Sequence, residues 1–251
     1  MIHIEAVDGV RWLRLESGKV QALDLELTTA LTGEIVRAAA EGTPPLVVTG
    51  TGSSFSAGVD LFRVLNEGTD YISRFLPALG HALATLFGYE GPVISAVNGH
   101  AVAGGALLAW CGDLRVMADG NGRIGVPELR VGVPFPAAAV EILRFATGGR
   151  GAQALAYIGG TMTAHEALAA SLVDEVVPVN ALNHRAQALA TTLGAIPRAS
   201  FRLTKRALRG PHIDALQRHG AALDGDVLRA WQSAETLSAI RSYLERTLGK
   251  R

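Results

Sequence analysis

The chain has 251 residues, with 23 Lys plus Arg balancing 23 Asp plus Glu, and it is 49% hydrophobic and 18% charged. That apolar content supports a large buried core and excludes a disordered chain, and the balanced charge argues against nucleic-acid binding, which normally brings a basic surplus. The single cysteine, Cys111, excludes an intrachain disulfide framework and a multi-cysteine metal site.

The first residues, MIHIEAVDGV, do not read as a secretory signal, and the longest clean apolar run, Ala101 to Trp110, is far below the roughly 20 residues that span a bilayer. A soluble protein of a reducing compartment, the cytoplasm, with no membrane partner is expected. Val10 to Leu15 reads as a strand. Asp24 opens a helix in which Leu27, Leu31, Ile35 and Ala38 recur at helical spacing, and Gly42, Pro44 and Pro45 stop it. Leu46 to Thr49 is a short apolar run of the buried, parallel-strand type. A polar glycine loop, Ser53 to Asp60, follows it. A helix is expected from about Tyr71 to Tyr89, with the stretch Leu61 to Leu76 hard to place. Pro92 to Val97 reads as a second buried strand, Asn98-Gly99 as a turn, and Ala103-Gly104-Gly105 as the opening of an apolar helix through Trp110. Leu114 to Met117 and Arg123 to Gly125 are strand candidates. Pro136 to Thr147 is helical, Thr163 and Glu166 have capping-box spacing, and Leu172 to Val177 reads as a strand. Beyond it only helices are expected: Ala181 to Leu193, Ala199 to Leu208, and Ile213 to Leu248. Repeated strand–helix units imply parallel strands covered by helices, here followed by a helical tail of about 55 residues.

Two glycine turns, each joining a strand to a helix, are the most suggestive feature. They are Phe55-Ser56-Ala57-Gly58-Val59-Asp60 and the run from Asn98 to Gly105. Glycine allows close approach to backbone amides, and the first N–H groups of a helix are unpaired and partly positive. Two such turns brought together would offer two donors to a developing oxyanion. The alternative is two ordinary strand-to-helix turns. Neither turn carries a complete dinucleotide fingerprint, a phosphate loop or a nucleophile elbow.

Together these residues resemble the crotonase superfamily, the enoyl-CoA hydratases and isomerases. The likeness is carried by Val48-Thr49-Gly50 through Leu61, by Pro92 through Gly105, by Asp113 to Val116 and by Ile124 to Gly132. It continues in Gly159 to Ala164 and Leu172 to Val177, in the family's order. The resemblance implies an α/β fold with a ββα spiral core over residues 1–195. It implies a C-terminal helical region over 196–251 that builds a homotrimer or a dimer of trimers. It implies an acyl-CoA thioester substrate, CoA being part of that substrate, and no metal or redox cofactor. The oxyanion donors carried over are the amides of Val59 and Gly104.

Hydratases of the family carry two glutamates. The first of those positions reads Leu107 here and the second Glu128, while Pro136 stands where dienoyl-CoA isomerases place an aspartate. The 3,2-enoyl-CoA isomerases have this pattern of one glutamate and one apolar residue. Their chemistry is expected here, with Glu128 as base and Leu107 as an apolar wall that excludes water and raises the carboxyl pKa; the alternatives are hydration or another crotonase reaction, or a member that binds acyl-CoA without catalysis. The alternative for Glu128 is a partly exposed acid paired with Arg130 or Arg123. The CoA moiety is expected to meet Val20, Ala22, Ser56 and Ala57. Lys205 and Arg206 are expected either at its phosphates or on a solvated helix face. Cys111 reads as inert core, His100 as a turn residue and Asp60 as a loop anchor.

Overall fold

The computed structural model describes residues 1–248. The chain runs through four successive strand–strand–helix units. The first is β1 (Ile2–Val7), β2 (Val10–Leu15) and α1 (Leu25–Ala40). The second is β3 (Leu46–Gly50), β4 (Ser54–Ser56) and α2 (Leu61–Phe87). The third is β5 (Val93–Val97), β6 (His100–Val102) and α3 (Gly104–Trp110), and the fourth β7 (Leu114–Asp119), β8 (Arg123–Gly125) and α4 (Glu128–Val131). Then come α5 (Ala137–Ile158), β9 (Thr161–Thr163), α6 (Ala164–Ala169), β10 (Glu175–Pro178), α7 (Leu182–Gly194), α8 (Arg198–Trp231) and α9 (Ala234–Leu248).

Two sheets sort these strands. The larger has the order β1-β2-β3-β5-β7-β10 and is parallel except for β1. The smaller has the order β4-β6-β8-β9 and takes the second strand of units two to four. The expected α/β class with a ββα core and a C-terminal helical region is therefore the observed architecture. β3 and β5 are buried along their whole length, as strands covered on both faces must be. Successive residues serve opposite faces: Val47, Ile94 and Val116 pack with Leu182, Ala186 and Ala190 of α7. Leu46, Val48 and Val93 join the main core with α1 and α2. No helix among the described residues is long and apolar enough to cross a membrane.

Several boundaries differ from expectation for physical reasons. β1 is an edge strand whose four central residues are exposed even though Ile2, Ile4 and Ala6 alternate with His3 and Glu5. α2 starts at Leu61, capped by Asp60, whose carboxylate accepts from the Arg63 amide at 3.0 Å. A non-helical Gly68 (φ 67°) interrupts its periodicity. The capping box of Thr163 and Glu166 is present, but the strand after it is only β10. Leu172 and Val173 are buried in the preceding turn, where the Leu172 amide donates to the Ala167 carbonyl at 2.8 Å. The expected break between Leu208 and Ile213 is absent: α8 runs through Pro211 and the chain turns at Gln232 and Ser233. Residues 249–251 of the expected C-terminal region lie outside the described residues.

α8 holds its course because it is bolted to the core. Asp113, just before β7, receives Lys205 Nζ at 2.7 Å and Arg209 at 2.8 Å. Lys205 also donates to the Gly91 carbonyl, and Arg209 to the carbonyls of Phe87 and Cys111. The Arg209 guanidinium lies over the Phe87 ring, 4.5 Å from its centre. Lys205 is thus neither a CoA-phosphate contact nor part of a solvated face, because its ammonium is buried and committed to Asp113; Arg206 beside it is exposed. Burial draws the Lys205 ammonium down to about 8, against the opposing pull of Asp113. Removing one partner of such a cluster strands the others without compensation. Asp113→Ala is expected to destabilise the chain by about 3–5 kcal/mol in urea unfolding followed by circular dichroism. A loss within about 0.5 kcal/mol, the range of an ordinary surface substitution, would mean that the cluster does not hold α8.

Candidate active site

The two glycine turns meet. Gly58 (φ 82°) follows β4 and sits against residues 102–104, at the start of α3. A methyl group on it would lie 2.7 Å from the Val102 carbonyl oxygen and 3.0 Å from the Gly104 nitrogen. Gly105 presses on β4 in the same way, since a methyl there would lie 2.2 Å from the Ser56 carbonyl oxygen. The two segments approach backbone to backbone, which side chains at these positions would forbid.

This contact aims the amides. Leu23 and Val59 form a parallel bridge in which the Leu23 amide donates to the Gly58 carbonyl at 2.8 Å. The Asp60 amide donates to the Leu23 carbonyl at 3.0 Å. In that pattern the N–H of Val59 itself faces away from Leu23. Gly104 is the first residue of α3, so its N–H has no partner in the preceding turn. The residue before it, Ala103, holds φ 54° and ψ −128°, a conformation that disfavours any side chain. It is fixed by its amide, which donates to the Gly125 carbonyl at 2.8 Å, and by its carbonyl, which accepts from Ala106 at 2.8 Å.

Glu128 closes the arrangement. It is the first residue of the short helix α4, not the end of a strand, and it is 7% exposed. It lines a cavity of about 90 Å³ together with Ala57, Val59, Ala103, Trp231 and Tyr243. Its Oε2 is buried without a hydrogen-bond partner. Arg130 is engaged with the Ile158 carbonyl and Arg123 with Thr161, so the alternative of an acid paired with either arginine is not what the structure holds. Desolvation raises the Glu128 carboxyl to about 8, only partly opposed by a hydrogen bond from its own backbone amide. Of the residues lining the cavity, Glu128 is the one carboxylate. The cavity thus sets a carboxyl of perturbed pKa together with Val59 and with Ala103, the residue before Gly104, while Gly104 itself does not line it; a buried acid of raised pKa in a cleft has the make-up of a proton-transfer group.

The remaining predicted residues divide. Ala57 lines the cavity, and its amide donates to the Val20 carbonyl at 2.9 Å; Val20 is exposed and Ala22 half-buried. The Ser56 side chain is fully buried: its hydroxyl donates to the Gln21 carbonyl at 2.7 Å and accepts from the Gly58 amide. It shapes the loop and offers no hydroxyl to a ligand. Leu107 is buried in the core and is absent from the cavity wall; that wall is built by Val131, Val133, Trp231 and Tyr243. Cys111 is buried with its thiol pushed up to about 12 by desolvation, which suits inert core. Trp231 and Tyr243 carried no local sequence signal, because they reach the cavity from the far end of the chain.

The family model described as enoyl-CoA hydratase/isomerase matches residues 5–249. The mouse mitochondrial enoyl-CoA delta isomerase 1 is 28% identical over 100% of this chain and 88% of its own. The Escherichia coli 2,3-dehydroadipyl-CoA hydratase is 30% identical over 78% of this chain and 76% of its own. Among solved structures, the human mitochondrial delta3-delta2-enoyl-CoA isomerase superposes with a TM-score of 0.92 at 25% identity, covering 100% of this chain and 99% of that one.

The elevated carboxyl pKa has a consequence for stability. With a folded-state value near 8 against an ordinary 4.5, the folded chain retains a proton that the unfolded chain releases. The neutral carboxyl therefore favours folding fully below about pH 4.5, and that contribution is lost as pH rises through about 8. Glu128→Gln cannot ionise. Its melting temperature is expected to exceed that of the parent by an amount that grows between pH 5 and pH 8 and then levels off. Differential scanning fluorimetry across that range checks it, and a constant difference would mean that the buried carboxyl does not hold its proton.

Proposed function

The chain belongs to the enoyl-CoA hydratase/isomerase family, and within it we propose that this protein is an enoyl-CoA isomerase that converts 3-enoyl-CoA to 2-enoyl-CoA with Glu128 as its single base. The observation that carries this reading is the solitary carboxyl of Glu128, its Oε2 without a hydrogen-bond partner, in a cavity lined otherwise by apolar side chains and one tyrosine. In the proposed reaction the thioester oxygen lies between the amides of Val59 and Gly104. Glu128 removes a proton from C2, the electron pair moves into an enolate held by the two amides, and the same carboxyl returns the proton at C4. The double bond shifts into conjugation with the thioester. Atoms and charge balance with no oxidant, metal or added co-reactant, and CoA stays attached throughout.

Hydration is the competing reading, favoured by the hydratase among the relatives. Adding water across a double bond calls for one group to hold the water and another to deliver a proton. A lone carboxyl in a cavity of mostly apolar lining suits shuttling one proton better than placing water. Assembly as a homotrimer or a dimer of trimers is part of the same proposal. The exposed Leu203 and Leu208 on α8 and Tyr157 and Ile158 at the end of α5 offer apolar surface for it.

Glu128→Gln is expected to lower kcat for isomerisation of a 3-enoyl-CoA by between about a hundredfold and ten-thousandfold while the variant still binds CoA thioesters. Full activity in that variant removes Glu128 from the role of base. Turnover of crotonyl-CoA to the hydroxyacyl product, matching isomerisation in rate, would replace the isomerase reading with the hydratase one. Because the base must be ionised, kcat/KM for isomerisation is expected to rise about tenfold per pH unit below an apparent pKa near 8 and to level off above it. A stopped assay over pH 6 to 9.5 reads the profile directly.

A further inference from the structure

The cavity that contains Glu128 is small, and its far wall is fixed. Its volume of about 90 Å³ compares with about 150 Å³ for a cavity that holds one benzene molecule. It therefore has room for on the order of four carbons. The reaction itself occupies that many, from the thioester carbonyl at the Val59 and Gly104 amides to C4 at the carboxyl of Glu128. Besides Glu128, the cavity is bordered by Val131 and Val133 from α4 and its following turn, by Trp231 at the end of α8 and by Tyr243 on α9.

This wall is braced on three sides. Trp231 is 2% exposed, and its indole N–H donates to the Pro134 carbonyl at 3.0 Å. The next residue, Gln232, turns the chain into α9 and is tied to α2 through the Thr69 carbonyl at 3.2 Å and the Ser73 hydroxyl at 2.7 Å. On α9, Thr236 and Ile240 are buried, and the helix rests against α4 and α2. The side chains that end the cavity thus stand on helices already anchored elsewhere, and a longer acyl chain would have to displace a hydrogen-bonded indole or swing α9 away.

We infer that this chain selects short acyl groups of about four to six carbons, and that Trp231 and Tyr243 set the limit; the inference rests on the proposed reading of the cavity as the acyl site. A pocket that is one methylene too short discriminates by about 10- to 200-fold. The test is calorimetric binding of saturated thioesters, butyryl-, hexanoyl-, octanoyl- and decanoyl-CoA, to the full chain, which requires no turnover. Octanoyl-CoA is expected to bind at least about tenfold more weakly than butyryl-CoA. In Tyr243→Ala, whose parent residue is only half-buried, the octanoyl-to-butyryl affinity ratio is expected to rise about tenfold. Trp231→Leu should act in the same direction, and if it fails to fold, the Tyr243 variant and the parent series still decide. Equal binding of all four thioesters, or an unmoved ratio in a folded Tyr243→Ala, overturns the limit. A length limit in binding without isomerisation at any length leaves it standing and overturns the proposed activity. Absence of binding by every thioester overturns both.

Discussion

The site depends on a contact between two pieces of backbone. Gly58 lies against residues 102–104 so closely that a single methyl group would collide with the Val102 carbonyl and crowd the Gly104 amide. Everything the cavity offers to a carbonyl follows from that approach. The turn after β4 presents Val59, the turn after β6 presents Gly104, and the parallel pairing of β4 with β6 sets the one against the other. The smaller sheet has short strands and little core of its own, so it contributes little as a folding unit. Its value is positional: it carries the second strand of three successive units to one place and delivers a helix start beside a bridged loop. The unfavourable backbone of Ala103 persists for the same reason, held by Gly125 on one side and by the first turn of α3 on the other.

The chain treats its buried charges in two opposite ways. Around Asp113, a lysine and an arginine converge on one carboxylate, three backbone carbonyls accept further hydrogen bonds from them, and the cluster joins α8 to the start of β7 in the larger sheet. There burial is compensated by partners. Glu128 is just as enclosed and its Oε2 has none. A buried carboxyl in that position prefers its neutral form, so the fold opposes the ionised state that a base needs. That opposition makes the carboxylate more basic once formed, and stability and reactivity are set against each other at a single side chain.

Much of this was legible in the residues. The strands β3 and β5 announce themselves as short, mostly apolar runs, α1 by its Asp24 cap and helical spacing, and the turns by glycine. Glu128 was legible as a candidate through its place in a familiar segment, although its environment was not. The short strands β4 and β6 read as parts of the glycine turns around them, because Ser54-Phe55-Ser56 and His100-Ala101-Val102 stand between glycines. β1 carries an alternation of Ile2, Ile4 and Ala6 with His3 and Glu5 but buries none of its four central residues, and the start of α2 was hidden by Gly68. Continuity of α8 through Pro211 ran against a local rule. The proline removes one backbone donor, while Lys205 and Arg209 fix the helix just before it to Asp113, more than ninety residues away in sequence. Leu107 was legible as apolar, but which apolar side chains face the cavity depends on helix packing, which no local pattern encodes.

Distance along the chain likewise hides the role of the C-terminal helices. Their sequence advertises only helicity, yet α8 and α9 supply the indole and the phenol that finish the cavity. The bolt at Asp113, the indole bond to Pro134 and the Gln232 tie to α2 act along one continuous path from the larger sheet to the cavity wall. The β-strand units fix where the carbonyl and the carboxyl stand; the tail fixes how much space remains beyond them. Changes in the tail can therefore alter which acyl groups fit while leaving the amides of Val59 and Gly104 where they are. Under the proposed reading, the chemistry and the choice of acyl group reside in separate parts of one chain, coupled through the small volume they enclose.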